Sequence, residues 1–74
     1  MNLEPIPRVK ARLITMYPMF RFDVKANART DSYHVSVFSD VVNLSTLIIE
    51  SNTPIDVFWE RIKTWMRPFV ATYQ

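Results

Sequence analysis

Apolar residues recur at helical spacing over residues 53–73, near the end of the chain. At 100° per residue the apolar side chains of this segment share one continuous arc, and most of the polar ones lie opposite. Thr53 and Pro54 are residue types typical of a helix start, so the pattern predicts a helix that buries a wide aromatic face. The predicted arc consists of Ile55, Phe58, Trp59, Ile62, Trp65, Met66, Phe69, Val70 and Tyr73.

Pro68 lies inside this periodic run. Proline removes one helical hydrogen bond and clashes with the carbonyl group four residues earlier. Because the apolar phase continues to Tyr73, we expect a kink near Arg67 followed by another helical turn. Arg61 precedes Trp65 by one turn at the edge of the apolar arc, so we also expect its guanidinium to stack on that indole.

Residues 19–27 alternate between apolar and polar, which predicts a first strand. A second strand is predicted over 33–39 and a third over 44–51, with polar turns between them. Tyr33, Val35 and Val37 are predicted to point inward on the second strand. Phe38 and Ile48 are expected on the face away from the helices. The first strand is expected to point one set of side chains inward, Phe20, Phe22, Val24 and Ala26, and the other outward, Arg21, Asp23, Lys25 and Asn27.

Residues 8–17 fit two patterns. Apolar positions three and four apart favour a helix that ends before Pro18, whereas alternation would make a strand with three bases along one face. We favour the helix, and residues 1–7 are expected to form an extended arm because Pro5 and Pro7 bracket Ile6. The sequence therefore predicts an α+β domain over 1–74, in the order α-β-β-β-α, with a three-stranded antiparallel sheet and helices packed on one face.

The composition excludes several kinds of chemistry. The chain has 74 residues, no glycine, no cysteine and one histidine. Glycine-rich phosphate loops and nucleophile elbows are therefore absent, and no thiolate metal site can form. Turns with positive φ must fall to Asn or Asp residues, for which the candidates are Asn27, Asp31, Asp40, Asn43 and Asn52.

No group of side chains has the pattern of a catalytic site. His34 and Ser36 share a strand face and Asp40 follows. A catalytic triad is defined by the geometry of its side chains and not by their presence, and the sequence has no turn motif that would form an oxyanion hole. Asp56 and Glu60, one turn apart, are interpreted as solvated residues near a helix start. We therefore predict a protein that is not an enzyme and that uses no cofactor and no metal.

Charge and aromatic content point instead to binding. The ten aromatic residues are many for so short a chain, and charge is segregated, with six bases and two acids in residues 1–30 and five acids and no base in residues 31–60. Partly exposed aromatic residues are common anchors of protein interfaces, and bases can steer an acidic partner. The predicted partner contacts are Trp59, Trp65, Phe38, Arg21, Lys25 and Arg29.

Two alternatives remain open. In the first, a basic helix and strand face binds nucleic acid through phosphate contacts. In the second, the chain is a structural subunit whose surplus aromatic area is its own homodimer interface. The bases that the first alternative would use are Arg8, Lys10, Arg12, Arg21 and Lys25.

The α-β-β-β-α order at this length resembles the double-stranded RNA-binding domain. Proteins of that family bind phosphate groups through lysines at the start of their last helix. Here that start carries Ile55, Asp56 and Val57, with no base before Arg61, and the glycine expected in the family's hairpin is missing. The resemblance therefore implies the layout alone.

Residues 8–37 are similar to a small domain that recurs in large polyvalent proteins of phages and conjugative elements. The likeness consists of a basic helix that ends at Tyr17-Pro18, a Phe-x-Val strand at Phe22, and a Val-x-Val strand at Val35. This resemblance implies an origin in a mobile element, where such small domains often inhibit a host protein. It also implies a place in the host cytoplasm, since the chain has no secretory signal and no apolar run near transmembrane length. The host target would be a defence, transcription or replication protein or complex.

Overall fold

A computed structural model describes residues 6–73, and they form two helices and three strands. The predicted α+β class and the order α-β-β-β-α are confirmed. The elements are helix α1 (Ile6–Met16), strand β1 (Arg21–Asn27), strand β2 (Ser32–Ser39), strand β3 (Val42–Glu50) and helix α2 (Ile55–Tyr73).

The strands form one antiparallel sheet in the order β1-β2-β3, so β2 is central and the other two strands are edges. Val24 pairs with Val35, which pairs with Leu47 on its other side. Because side chains alternate across a strand, this row and every second row point to the same face of the sheet. We call this the inner face. Its buried side chains are Phe22, Val24, Tyr33, Val35, Val37 and Ile49.

Both helices cover the inner face, α1 over β1 and α2 over β3. Val9 and Leu13 of α1 and Ile62 of α2 are almost completely buried in the same cluster as the strand side chains. The described residues therefore share one hydrophobic core, and the prediction of helices packed on one side of the sheet is correct.

Helix α1 confirms the helical interpretation of residues 8–17 and rules out the strand alternative. The helix begins at Ile6, so the prediction of an extended arm is wrong for Ile6 and Pro7. Proline fits the first turn of a helix because the amide groups there have no acceptor within the helix. The remainder of the predicted arm, residues 1–5, lies outside the described residues.

Helix α2 starts with a hydrogen bond from the Phe58 amide to the Pro54 carbonyl, at 2.8 Å. It continues without a break past Pro68, as the apolar phase predicted. The carbonyl of Thr64 has no amide donor at Pro68, and Thr64 is exposed, so water can satisfy this group. The predicted inward position of the Tyr73 side chain lies outside the described residues.

Two aspartates take the role of glycine in the turns. Asp31, before β2, and Asp40, between β2 and β3, have φ angles of 51° and 56°. Both were among the five residues predicted for this conformation. In the first turn the Asn27 side-chain oxygen also accepts a hydrogen bond from the Arg29 amide, at 3.0 Å.

Strand β3 begins two residues earlier than predicted and contains a bulge. Val37 pairs with Ser45, whereas the next residue, Phe38, pairs with Asn43, so Leu44 is an extra residue on β3. Beyond the bulge, the apolar residues of this strand alternate between the two faces of the sheet. Ile49 is buried on the inner face, whereas Ile48 is 54% exposed.

Candidate functional site

The side of the sheet opposite the helices is uncovered by any described element. We call this surface the outer face. Its side chains come from the rows that alternate with the buried ones. Ser32 is buried among them, Asn27, Asn43 and Glu50 lie at the ends of the strands, and the rest are exposed or half-buried. They are Arg21, Asp23 and Lys25 of β1, His34, Ser36 and Phe38 of β2, and Thr46 and Ile48 of β3.

The register sets basic and apolar groups side by side on the outer face. Phe38 lies directly across from Arg21, and His34 lies between Lys25 and Ile48. Directly opposite residues of adjacent strands have Cβ atoms about 5 Å apart, so these groups form one surface. The prediction that Phe38 and Ile48 lie away from the helices is confirmed.

Polar contacts on the outer face are weak or satisfied locally. The Ser36 and Thr46 hydroxyl oxygens are 2.9 Å apart and share a hydrogen bond. Lys25 Nζ lies 3.7 Å from Asp23 Oδ2, and both groups contact solvent, so this ion pair adds little stability. The lysine is therefore free to exchange its partner for an acidic group of another molecule.

The hairpin that joins β2 to β3 exposes two valines, of which Val41 lies next to Phe38 of the outer face. Val41 is 87% exposed and Val42 is 59% exposed. An open hollow of about 390 Å³ lies beside this hairpin, and Phe38 and Val41 line it together with Lys10 and Arg21. The two valines were not among the predicted site residues, although a turn between the second and third predicted strands, at residues 40–43, implies an exposed position for them.

Trp59 does not belong to this surface. It is 5% exposed, so the expectation that it contacts a partner through an exposed edge is wrong. The guanidinium carbon of Arg12 lies 4.4 Å from the centre of its ring, and Phe58 contacts it edge-on. The indole N–H has no hydrogen-bond acceptor among the described residues. A tryptophan at the junction of α1 and α2 is thus a core residue.

Trp65 is half-buried on the opposite flank of α2. Its indole N–H donates to the Ser45 hydroxyl of β3 at 3.2 Å, and Phe69 contacts its ring edge-on at 5.9 Å. An open hollow of about 380 Å³ lies beside it, lined by Leu47, Glu60, Arg61 and Thr64 as well. The predicted stacking of Arg61 on Trp65 is wrong, because the guanidinium that stacks on an indole in the described part is that of Arg12.

The predicted basic residues are all exposed but lie on different surfaces. Arg21 and Lys25 lie on the outer face, and Arg29 lies in the turn beside it. On α1, Lys10 lies on the flank toward β1, whereas Arg12 lies on the flank toward α2. Because α1 covers the inner face, the five bases assigned to nucleic acid form no continuous patch.

His34, Ser36 and Asp40 do not form a hydrogen-bonded triad in the described part of the chain. The Ser36 hydroxyl bonds to Thr46 rather than to His34, and Asp40 lies in a turn. No group of acidic or histidine side chains among residues 6–73 could hold a metal ion. Burial raises the pKa of Tyr17, whose ring contacts Phe22 at the edge of the core.

No family model, curated protein or solved structure matches this chain. Neither described helix combines the length and the apolarity needed to cross a bilayer. The functional argument therefore depends on the surfaces of the chain itself, and the outer face is a sheet surface that no described element covers.

Proposed function

We propose that this chain is a small binding protein that covers a surface on another protein through its outer face. The observation that carries this proposal is the uncovered sheet surface on which Phe38 lies beside Arg21, and Ile48 and Lys25 lie on either side of His34. No chemistry is required of such a protein, since it acts by blocking or altering the surface that it covers.

The composition of the outer face suits a partner that offers both acidic and apolar groups. Aromatic and arginine side chains dominate the binding energy of protein interfaces, and here they are cross-strand neighbours. Lys25 and Arg29 lie at one end of β1, where they would steer an acidic surface into place. Trp65 lies on another side of the molecule, so we assign it to a separate surface.

The more specific proposal is an inhibitor or modulator from a mobile element. Its target would be a host defence, transcription or replication protein in the cytoplasm. The support for this origin is the resemblance of residues 8–37 to a domain of phage and conjugative-element polyvalent proteins.

An affinity capture from host lysate, with and without nuclease, tests the general proposal. A stoichiometric protein that survives nuclease is then purified, and its affinity is measured for Phe38→Ala and Ile48→Ala. Each variant is expected to weaken binding about tenfold or more, the effect of losing a contact worth about 1.4 kcal/mol. Ile14→Ala is the matched control, because Ile14 is 48% exposed on α1, away from the outer face.

Charge is tested in the same assay with Lys25→Glu against Lys63→Glu, an exposed lysine of α2. The first variant is expected to slow association and the second to leave it nearly unchanged. If the outer-face variants bind as the unchanged protein does, or if the control variants lose as much affinity, the proposed surface is wrong.

Nucleic-acid binding is the second candidate, favoured by the hollow that Lys10 and Arg21 line together. This candidate predicts captured material that disappears with nuclease and an affinity that falls steeply as salt concentration rises. A flat salt response counts against it.

A further inference from the structure

Strand β3 is an open edge of the sheet, and its register shows which backbone groups are free. The Ser51 amide donates to the Asp31 carbonyl at 2.9 Å, directly opposite it in the register that continues from β2 and β3. Hydrogen-bonded pairs alternate along an antiparallel ladder, so Ile49 and Leu47 also bond to β2. The amide and carbonyl groups of Thr46 and Ile48 therefore point away from the sheet, toward solvent.

This edge has few of the features that keep sheet edges from pairing, namely one bulge and one charged residue, Glu50, at its last position. Residues 41–49 contain no charged residue and no proline. Natural edge strands are usually interrupted by charges, prolines or short length, whereas β3 has nine residues. The other edge is protected, because β1 carries Arg21, Asp23 and Lys25 in alternate positions. The single bulge of β3 lies near its first end and leaves the strand regular from Ser45 to Glu50.

We propose that two copies of this chain pair antiparallel through β3 and form a continuous six-stranded sheet. With a two-fold axis near Leu47, Thr46 of each copy faces Ile48 of the other, so about four backbone hydrogen bonds would join the regular parts of the two edges. The Trp65 hollow lies directly above this edge, between β3 and the flank of α2. Pairing would bring the two α2 flanks together and close both hollows.

The charges beside the edge favour a second copy over a foreign strand. The hollow is lined by one acid, Glu60, and one base, Arg61, and both are exposed. A two-fold axis near Leu47 sets each acid opposite the base of the other copy, so the surface is complementary to itself. The single charge of β3, Glu50, lies opposite Leu44 of the other copy across such an axis, so the two strands pair no like charges, although the chain carries a net charge of +2.

The test measures oligomeric state by sedimentation equilibrium from about 1 to about 500 μM, a range that covers weak dimers. Ile48→Pro removes an outward-pointing amide donor without removing a bond to β2, and it is expected to leave a monomer. Ala26→Pro is the matched control, because the same alternation places the Ala26 amide on the free edge of β1. This control is expected to remain dimeric.

Thr46→Lys is a second edge variant that keeps the backbone donor, and circular dichroism checks that each variant is folded. It is expected to weaken the dimer at least tenfold, since it sets lysines near each other across the axis. A monomeric unchanged protein at the highest concentration, or dimers in both edge variants, would overturn the proposal. A dimer that is disrupted by Ala26→Pro and by neither β3 variant would also overturn it.

A charge exchange distinguishes a second copy from any other strand. Arg61→Glu is expected to weaken self-association several-fold, and Glu60→Arg together with Arg61→Glu is expected to restore it. If the double variant remains as weak as the single one, the α2 flanks do not meet across a two-fold axis, and the proposed dimer is wrong. These measurements use purified protein alone, so their outcome is independent of the target-binding proposal.

Discussion

Replacing Trp59 separates its structural role from a binding role. The side chain is 5% exposed, so nearly all of its surface, about 200 Å² for a tryptophan, is buried. At about 25 cal/mol per Å² this burial contributes about 5 kcal/mol. The unpaired indole N–H lowers this contribution by about 1–3 kcal/mol, the cost of burying a donor without an acceptor. Trp59→Ala should therefore lower the free energy of unfolding by about 2–4 kcal/mol.

That loss is comparable to the whole stability of a domain of this size, which is about 3–5 kcal/mol. Trp59→Phe is the informative partner variant. It gives up about 1 kcal/mol of apolar burial, but it also removes the unpaired N–H and regains a similar amount. We expect the free energy of unfolding of Trp59→Phe to lie within about 1 kcal/mol of that of the unchanged protein. Trp59→Ala is expected to be largely unfolded.

Urea unfolding followed by circular dichroism measures both variants, with the slope against urea checked for two-state behaviour. If Trp59→Phe loses as much stability as Trp59→Ala, the indole N–H has an acceptor and the calculation is wrong. If Trp59→Ala keeps full stability but loses affinity for a partner, Trp59 is a contact residue after all.

Three further predictions concern single groups. Trp65→Phe removes the hydrogen bond to Ser45 and should lower the free energy of unfolding, measured in urea, by about 1 kcal/mol. An unchanged urea midpoint would mean that this hydrogen bond contributes nothing to stability. Pro68→Ala restores the amide donor for the Thr64 carbonyl and should raise the melting temperature, by an amount equivalent to about 1–3 kcal/mol; a lower melting temperature would show that the proline suits this helix. Burial disfavours the phenolate form of Tyr17 and so raises its pKa above the ordinary value of 10.0. The contribution of the neutral side chain to folding stability is therefore complete below about pH 10 and is lost as the pH rises through the folded-state pKa. Tyr17→Phe should remove that part of the alkaline loss of stability in urea titrations at several pH values, and an identical pH profile would contradict the assignment.

The fold could be predicted because each element has a strong local pattern. Val9 and Leu13 repeat at helical spacing, and Phe22 and Val24 alternate as in a strand, so local periodicity and tertiary burial agree. The start of α1 was misplaced because Pro5 and Pro7 look extended when taken as a pair. The second of these prolines instead fits the first helical turn.

The positions of the candidate site residues could be predicted only on the strands, where alternation determines which face a side chain occupies. The outward positions of Phe38, Arg21 and Lys25 follow from alternation alone. Trp59 and Trp65 lie on opposite sides of the same helical arc, and helical spacing cannot say which side the neighbouring α1 covers. Whether β3 is an edge strand depends on the order of the strands in the sheet. Because the three strands have similar sequence patterns, the sequence does not determine that order.

Elements that are neighbours along this chain are also neighbours in space. Helix α1 packs on β1, each strand pairs with the next, and α2 packs on β3. A topology with such short-range contacts requires little loop closure before native contacts form, and this is the condition for fast folding. During synthesis each element meets its partner as soon as it emerges, so α1, β1 and β2 can assemble before the last helix is complete. The chain is therefore expected to fold within milliseconds and to spend little time with the apolar edge strand β3 exposed in an unfolded state.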